Sequence, residues 1–445
     1  MMWNRLCLLL GKLIIKIGKP FGRSTTTPGY IVSILNKKIY SYFKLPKIVI
    51  AVTGSSGKGS TSSLIAAILR ENNFTVAHNI GGANLTTGIL TLLIDSAKLN
   101  GEIKKDVLIC EVDERYTRQV FDMINPGYVV ITNITRDQPP RQGHFDIVFE
   151  KVNSALKENM HLILNGDDPY LQKFVLDKKN TVTYYGILEN QFSYKEAKFK
   201  NLNINYCPKC HHFLQYNYYH FENNGDYFCS ECDFRRPQID YSVTNIDYEN
   251  STITVNENCI VHLSSDILYT IYNTMAAFTV CRLLNLEENS ITTVINNINR
   301  NKKLFHVYPY ENRKVTVLNN KNENSSTFNQ SLLYVSRFKE KKTIVIGWKE
   351  ISRRYQFDDL SWLYDIDFEL LKDMNIEKII CVGVHRYDIA VRMKYSNIAE
   401  ENIMVFEDLK TATDYIKQAT KGNIYGILNF DYVAPFNELM GSDNK

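Results

Sequence analysis

A buried strand, a glycine-rich loop and a helix follow one another directly near the start of this chain. Residues 48–52 read Ile-Val-Ile-Ala-Val, residues 53–61 read Thr-Gly-Ser-Ser-Gly-Lys-Gly-Ser-Thr, and a helical pattern runs from Ser62 to Arg70. Glycines let backbone N–H groups turn toward an anion, and the helix N-terminus adds its positive end. This succession predicts a phosphate-binding loop at the edge of a parallel sheet. A glycine- and serine-rich turn without a ligand is the alternative.

The side chains of this loop indicate ATP and magnesium as ligands. Lys58 can reach the β- and γ-phosphates, and the hydroxyl of Ser60 or Thr61 can hold Mg²⁺. Gly59 separates the lysine from the serine, which departs from the common phosphate-loop spacing. The residues expected to bind ATP and magnesium here are Gly54, Gly57, Lys58, Gly59, Ser60 and Thr61.

Strand and helix patterns alternate along most of the chain, which predicts parallel sheets with crossover helices. In the first half, further strands are expected at 107–112 and 128–132. After about residue 300, a second alternating block predicts a smaller, Rossmann-like α/β domain. Its four expected strands are 343–346, 378–382, 403–405 and 424–428, and the expected hinge is 301–304. The expected divisions are an N-terminal helix and lead-in at 1–45, a central domain at 46–300 with an insert at 201–240, and a C-terminal domain at 301–445.

Composition excludes two classes of protein. A chain of 445 residues with 44% hydrophobic and 22% charged residues is ordinary for a globular protein of two to four domains, so wholesale disorder is excluded. A net charge of +4 is too weak for a nucleic-acid binder, which usually carries a dense basic stripe. We therefore expect no nucleic-acid partner.

Cysteine usage favours a reducing, cytoplasmic setting. Five of the nine cysteines are scattered through apolar surroundings, as reduced core thiols would be. No cleavable signal is visible, and the longest apolar run near the start, Leu6 to Leu10, is far short of the ~20 residues that span a bilayer.

The first 19 residues place apolar side chains at helical spacing, with lysines mostly between them. One interpretation is a helix docked on its own domain. The other is a cationic amphipathic helix that makes a peripheral contact with anionic lipid at the inner face of the membrane.

The remaining four cysteines form two C-x-x-C pairs, Cys207/Cys210 and Cys229/Cys232, separated by 18 residues. This spacing is typical of a zinc ribbon, in which four thiolates hold a structural zinc ion tetrahedrally. A pair of disulfides and redox catalysis are the alternatives. The nearby His211, His212 and His220 are not needed as ligands, and we expect them to be solvated.

Several segments resemble the Mur ligase and folylpolyglutamate synthase superfamily, which joins a carboxylate to an amine by way of an acyl phosphate. The phosphate loop is the first, and the others are 79–85 with 88–89, 111–114, 133–143, 164–169 and 272–273. The four-cysteine module, which runs on into Phe234-Arg235-Arg236-Pro237, narrows the resemblance to the MurT family. The resemblance implies that Glu111 holds magnesium, that Asn273 contacts adenine, and that Asn84, Arg136 and Asp137 lie on the substrate side.

An acidic, tryptophan-containing segment at 358–369 resembles the signature of the MurT C-terminal domain. In that family an aspartate here completes the catalytic triad of a partner glutaminase, GatD. The resemblance implies Asp359 as the first candidate, with Asp365 and Asp367 behind it. Carboxylates that merely cap and solvate a helix start are the alternative.

The resemblance is close through residue 300 and looser after it. Residues 305–308, 323–330 and 351–356 depart from the family pattern. It implies an ATP-dependent ligase subunit that amidates the D-glutamate α-carboxyl of the lipid II stem peptide in peptidoglycan synthesis. No cysteine lies in a nucleophile-elbow context, so ammonia is expected from a separate glutaminase subunit. The alternatives are another carboxylate–amine ligase of the folylpolyglutamate type, or a nucleotide-binding paralogue without catalysis.

Overall fold

The computed structural model describes residues 2–136, 144–301, 305–319, 322, 324–348 and 360–441. Two α/β units, each built on one sheet, are joined after residue 301, and a two-stranded hairpin is inserted into the first unit. The strands are β1 Ile48–Thr53, β2 Val76–His78, β3 Val107–Glu111, β4 Tyr128–Ile131, β5 His161–Asn165, β6 Val182–Ile187, β7 Gln215–Phe221, β8 Asn224–Phe228, β9 Tyr241–Asp247, β10 Thr252–Val255, β11 Cys259–His262, β12 Phe305–Tyr310, β13 Arg313–Leu318, β14 Lys342–Trp348, β15 Ile376–Gly383, β16 Ile403–Phe406 and β17 Asn423–Leu428. The helices are α1 Met2–Gly18, α2 Thr27–Leu35, α3 Lys58–Glu71, α4 Thr86–Ser96, α5 Thr117–Ile124, α6 Phe145–Asn153, α7 Leu268–Leu283, α8 Glu288–Asn301, α9 Ser325–Ser336, α10 Arg386–Tyr395, α11 Leu409–Ala419 and α12 Phe430–Met440.

The first sheet has nine strands in the order β11-β10-β9-β6-β5-β4-β1-β3-β2. Within this sheet, β9, β6, β5, β4, β1, β3 and β2 pair in parallel in that order, whereas β9, β10 and β11 form an antiparallel edge. The central strand β1 is apolar on both faces, as a strand covered by helices on both sides must be. Val49 and Ala51 face one core, and Ile50 and Val52 face the other. The carboxyl ends of β1, β3 and β4 therefore lie side by side, where an α/β sheet places its ligands.

Helix α1 docks on the first unit through one face. Cys7 and Leu8 are buried in its core, and Gly11 lies so close to Ile94 that a Cβ would come within 2.8 Å of the isoleucine side chain. The expectation of a helix docked on its own domain is thus confirmed for this face. The opposite face remains exposed. Among the described residues, no helix has the length and apolar character that a bilayer crossing requires.

The second sheet has six strands in the order β12-β13-β17-β14-β15-β16, all parallel except the β12–β13 pair. The four strands expected from sequence are β14, β15, β16 and β17. The hairpin β12–β13 was not expected, because its first strand has no continuous apolar run: His306 and Val307 are exposed at the sheet edge. Of the hinge expected at 301–304, Asn301 ends α8 and the rest lies outside the described residues.

Strands β7 and β8 form an antiparallel hairpin, which follows β6 and precedes β9 along the chain. The cysteine pairs flank its open end, and its turn lies at Glu222 and Asn223. The hairpin is anchored on the first unit, since the backbone N–H of Gly225 donates to Asp167 O at 2.9 Å. The hairpin lies within the range 201–240 that was predicted as an insert, and the bounds of that insert stay a prediction.

Candidate active site

The phosphate loop lies directly after β1, at the carboxyl edge of the first sheet. Gly54 and Gly57 have φ angles of 128° and 83°, which side-chain-bearing residues rarely adopt, and α3 begins at Lys58. The loop therefore turns its backbone toward the N-terminus of α3, as a phosphate cradle requires. Thr61 is fully buried, and within the described part of the chain its hydroxyl has no hydrogen-bond partner. Ser60 is exposed at the start of the helix.

The Lys58 ammonium folds back over the loop. It donates to the carbonyl oxygen of Gly54, to that of Ser55 at 3.3 Å, and to Oε2 of Glu114 at 2.9 Å. Burial opposes the charged form of this lysine, but the neighbouring acids, Glu114 foremost, outweigh it and raise the pKa of Lys58. The lysine is therefore held in its charged form at the phosphate site.

Glu114 is a site residue that the sequence reasoning missed. It lies at the end of the 111–114 segment, and only 3% of its side chain is exposed. Burial raises its pKa, and the Lys58 charge opposes that rise. The adjacent Asp113 is held instead by Arg115, with two contacts of 2.7 and 2.8 Å. The sequence signal that could have identified Glu114 is an acidic residue three positions after Glu111, the expected magnesium ligand.

Glu111, the expected magnesium ligand, ends β3 next to the phosphate loop. Its Oε1 accepts a hydrogen bond from Asn84 Nδ2 at 3.0 Å. A Cβ at Gly59 would lie 3.2 Å from its Oε2, so a side chain there would press on this carboxylate. The carboxylate thus stands beside the first turn of α3, where an oxygen-ligand set for Mg²⁺ fits.

The loop that follows β4 clamps the phosphate loop. The Ser56 N–H donates to Asn133 Oδ1 at 2.9 Å, and Asn133 Nδ2 donates back to Ser56 O at 3.0 Å. Thr132 Oγ1 donates to the same carbonyl oxygen at 2.6 Å. These bonds hold the loop through groups of this chain alone, and a loop held in this way costs less to order on binding.

Asn273 lies in the first turns of α7, against the loop. A Cβ at Gly57 would come within 2.2 Å of Asn273 Oδ1. The preceding Tyr272 donates its hydroxyl to Asp167 Oδ2 at 2.9 Å, and Asp167 also pairs with Arg236 at 2.6 Å. The 164–169 and 272–273 segments are therefore brought together behind the phosphate loop.

Arg136 and Asp365 form an ion pair of 2.7 Å between the two units. Arg136 also donates to Ser361 Oγ at 3.1 Å. About a third of each charged side chain is exposed, so the pair lies at the rim of the site. Asp137, expected on the substrate side, and Asp359, the first triad candidate, lie outside the described residues.

Asp367 is buried within the chain. Its Oδ1 accepts from the Lys200 N–H at 3.1 Å, and its own N–H donates to Asn329 Oδ1 at 2.9 Å. Burial raises the pKa of its carboxyl. The structure thus gives Asp365 and Asp367 partners inside this chain.

The four paired cysteines come together at the open end of the β7–β8 hairpin. Their sulfur atoms all lie within 4.8 Å of one another, and none forms a disulfide. Four thiolates at such distances can hold a metal ion.

His211 and His212, which lie near the cluster, are exposed, as expected. The expectation that His220 is solvated was wrong: it is 5% exposed, and its Nε2 bonds to the Ile187 carbonyl oxygen at 2.8 Å, because it lies on the face of β7 that packs against the sheet.

Two family models match the chain. The Mur ligase middle domain matches residues 52–281, and the MurT ligase C-terminal domain matches residues 322–432. The first covers the phosphate loop, Glu111, the cysteine module and Asn273. The second begins just before α9 and spans the acidic segment.

Relatives match over nearly their whole length. The lipid II isoglutaminyl synthase (glutamine-hydrolyzing) subunit MurT of Staphylococcus aureus strain COL is 30% identical over 442 residues, which cover 97% of this chain and 96% of the relative. The subunit of the same name from Streptococcus pneumoniae R6 is 27% identical and covers 98% and 96%. A pseudomurein peptide ligase type C from Methanothermus fervidus shares the fold, with a TM-score of 0.64, 20% identity and coverage of 91% and 80%. The Mur-ligase-type α/β fold and the resemblance to MurT are therefore confirmed, and this chain belongs to the MurT family of Mur-type ligases.

Proposed function

We propose that this chain is the synthetase subunit of a glutamine-dependent amide ligase acting on lipid II. It activates the D-glutamate α-carboxyl of the stem peptide as an acyl phosphate, which ammonia then converts to the amide. The observation that carries the proposal is the match to a lipid II isoglutaminyl synthase subunit along 96% of that protein. The position of Glu111 beside the phosphate loop supports phosphoryl transfer over mere nucleotide binding.

The loop residues divide the work of phosphoryl transfer. Lys58 neutralises charge on the γ-phosphoryl group, and Ser60 and Glu111 hold Mg²⁺, with Asn84 orienting the carboxylate. Magnesium, when bound, offsets the charge that develops on the phosphate oxygens. The substrate carboxylate attacks the γ-phosphorus and ADP leaves; ammonia then attacks the acyl carbon, and phosphate leaves. Asn273 serves the nucleotide, and Arg136 and Asp137 serve the acceptor.

Ammonia comes from a GatD-type glutaminase subunit in this proposal. All nine cysteines are accounted for: five are buried singly in cores, and four lie in the cluster. None is therefore available as the nucleophile of a glutaminase. Asp359 would orient the histidine of the partner's triad. Asp365 and Asp367 are weaker candidates, because both are engaged inside this chain.

The four-cysteine cluster would hold a structural zinc ion. The thiolate donor set and the absence of a disulfide among the four support zinc over a redox pair. Four thiolates complete the tetrahedral coordination of zinc and leave no position open for a substrate. The ion would therefore stabilise the insert and take no part in phosphoryl transfer.

The exposed face of α1 would rest on the anionic inner surface of the membrane, near a lipid-linked substrate. Trp3, Leu6, Leu13 and Ile17 are each at least half exposed and form one stripe along the helix. The chain has no acidic residue before Glu71, whereas it has eleven lysines and arginines in that stretch. Apolar insertion and charge attraction therefore act together. Leu6→Glu with Leu13→Glu should abolish co-sedimentation with anionic vesicles, and unchanged binding would contradict this contact.

The function is tested by incubating lipid II with ATP, Mg²⁺, glutamine, this chain and its glutaminase partner. Mass spectrometry should find one carboxyl of the stem peptide converted to an amide, and only when ATP is present. Parallel reactions with folate plus glutamate test the folylpolyglutamate-type alternative. Turnover of folate without amidation of lipid II would overturn the proposal. ATP binding with no turnover on any acceptor would instead favour a paralogue without catalysis.

A further inference from the structure

The hairpin of the four-cysteine insert reaches from the cysteine cluster to the C-terminal unit. Strand β7 has seven residues, so the hairpin spans about 20 Å from the cysteines to its turn. At the turn, Glu222 has a φ of 45°, and its carboxyl group contacts the second unit. Such a backbone angle is uncommon for a glutamate, and it marks a conformation that the surroundings impose.

The Glu222 carboxyl group is hydrogen-bonded to the first turns of α9. Its Oε1 accepts from Asn329 Nδ2 at 2.9 Å, and its Oε2 accepts from Ser326 Oγ at 3.0 Å. Both partners are almost completely buried. A side chain from the first unit thus satisfies two buried polar groups of the second, and its loss would leave both without that acceptor.

The same helix touches the phosphate loop. Asn324 caps α9 through its Oδ1, which accepts from the Thr327 N–H at 2.9 Å, and its Nδ2 donates to Ser56 Oγ at 3.2 Å. The α9 helix is also a core element of the second unit, because Phe328 packs among its aromatic side chains. Moving α9 would therefore move both the second unit and its contact with the loop.

Three further hydrogen bonds fix the two ends of this link. The hairpin is fixed to the first unit by His220, whose Nε2 bonds to Ile187 O at 2.8 Å. Asn329 is held from the other side by the Asp367 N–H at 2.9 Å, and Tyr269 of α7 shares a 2.6 Å hydrogen bond with Ser326. Glu222 thus lies where the insert, α7 and the second unit meet.

We propose that the four-cysteine insert is a strut that holds α9 against the phosphate loop, with Glu222 as its positioning residue. The insert then contributes to ATP turnover from a distance, by fixing the C-terminal unit over the nucleotide. The consequence for turnover rests on the proposed function, whereas the mechanical link from Glu222 to Ser56 does not. The two are therefore tested by separate measurements.

The link is tested by hydrogen–deuterium exchange on the full-length chain, which needs no turnover. Glu222→Ala should speed exchange in residues 324–330 and 54–58, while its metal content equals that of the wild type. Glu222→Gln should restore most of the protection, because its amide can accept from Asn329 and donate to Ser326 Oγ. Glu249→Ala, at an exposed position between β9 and β10, is the matched control and should change neither segment.

Turnover provides the second measurement. In Glu222→Ala, kcat for ATP hydrolysis should fall several-fold, while the affinity for a fluorescent ADP analogue stays within about twofold. If Glu222→Ala keeps wild-type protection from exchange at 324–330 and 54–58, the proposal that the insert acts as a strut is contradicted. Altered protection with unchanged kcat would keep the link and overturn its role in turnover. If Glu222→Ala does not fold, the double variant Glu222→Gln with Asn329→Ala replaces it. This variant also removes the contact between residues 222 and 329, and it leaves fewer buried polar groups without a partner.

Discussion

Lys58 and Glu114 form a buried ion pair of 2.9 Å at the base of the phosphate loop. The lysine that we expect to neutralise phosphate is therefore also the counter-ion of a carboxylate with 3% of its side chain exposed. The neighbouring acids raise the pKa of Lys58, and burial raises the pKa of Glu114 against the opposing charge of Lys58. An anion bound at the loop would therefore share this ammonium with Glu114.

Replacing Lys58 by alanine should lower ATP hydrolysis by on the order of 10²–10³-fold, because a charged phosphate contact is lost. It should also lower the free energy of unfolding by about 3 kcal/mol near pH 8, because Glu114 loses its partner. The double variant Lys58→Ala with Glu114→Gln should recover most of the stability and none of the activity. Urea unfolding and phosphate release measure the two effects. Wild-type turnover in Lys58→Ala would contradict the assignment of the loop.

Replacing Gly59 by alanine should displace the magnesium carboxylate. The new Cβ would lie 3.2 Å from Glu111 Oε2, so the carboxylate must shift, and misplacement of a catalytic group by a fraction of an ångström to 1 Å can cost up to about 10²-fold. We expect a higher Mg²⁺ requirement in a titration of ATP hydrolysis. Gly127→Ala is the control, since its nearest neighbour would be 3.9 Å away. An unchanged Mg²⁺ dependence of ATP hydrolysis in Gly59→Ala would contradict the assignment of Glu111 as a magnesium ligand.

Replacing Cys232 by serine should release the metal from the insert. Elemental analysis of the wild type should find about one zinc ion per chain, and the variant should lose most of it. Proteolysis should then cut within 201–240, while fluorescent ADP still binds. Cys259→Ser changes a buried thiol that lies outside the cluster, and it controls for a general effect of losing a cysteine. Wild-type protein without zinc would end this assignment.

Stability should depend on the protonation of Glu222. Burial raises its pKa to about 8, so the folded chain holds this proton over a pH range in which the unfolded chain, with a pKa near 4.5, has lost it. Its contribution is therefore fully present below about pH 4.5 and is lost as pH rises through 8. Asp367 and Asp168, which raise this pKa further, have raised values of their own and act in the same direction. The Tm of the wild type should therefore fall relative to the Tm of Glu222→Gln as the pH is raised from 5 to 9. A difference in Tm that stays constant over this range would contradict the prediction.

Local sequence spacing predicted those parts of the site that are contiguous in the chain. The strand–loop–helix succession predicted the loop between β1 and α3, because its geometry depends on adjacent residues, whereas the roles of Lys58 and Gly59 stay predictions. The C-x-x-C pairs likewise predicted the cysteine cluster, since two short loops suffice to bring the sulfurs together. Such features carry their structure within a few residues.

Contacts between distant segments could not be predicted in the same way. Asn324 and Ser56 are 268 positions apart, and nothing in the spacing of either segment indicates the hydrogen bond between them. The burial of His220 depends on which face of β7 packs against the sheet, which a strand's own sequence leaves ambiguous when both faces carry aromatics. The Glu222 junction requires the docking of two units, so it could be found only in the folded chain.

Asp359→Asn tests whether this chain completes a glutaminase triad. The complex should assemble and bind ATP normally, while glutamine-dependent amidation falls steeply, since aspartate-to-asparagine in a triad costs on the order of 10⁴-fold elsewhere. Free ammonium should restore much of the activity, because the site around Lys58 is untouched. An equal loss with glutamine and ammonium would assign Asp359 to the synthetase chemistry or the fold. No loss with either would move the role to another residue.

The central claim is that this chain by itself joins ammonia to an activated carboxylate. The most direct measurement gives the purified chain ATP, Mg²⁺, lipid II and ¹⁵N-ammonium, with no glutaminase and no glutamine, and follows the label into the stem peptide by mass spectrometry. We predict ATP-dependent labelling of the D-glutamate α-carboxyl that is lost in Lys58→Ala. ATP consumption without label in lipid II, or labelling that persists in Lys58→Ala, would contradict the account.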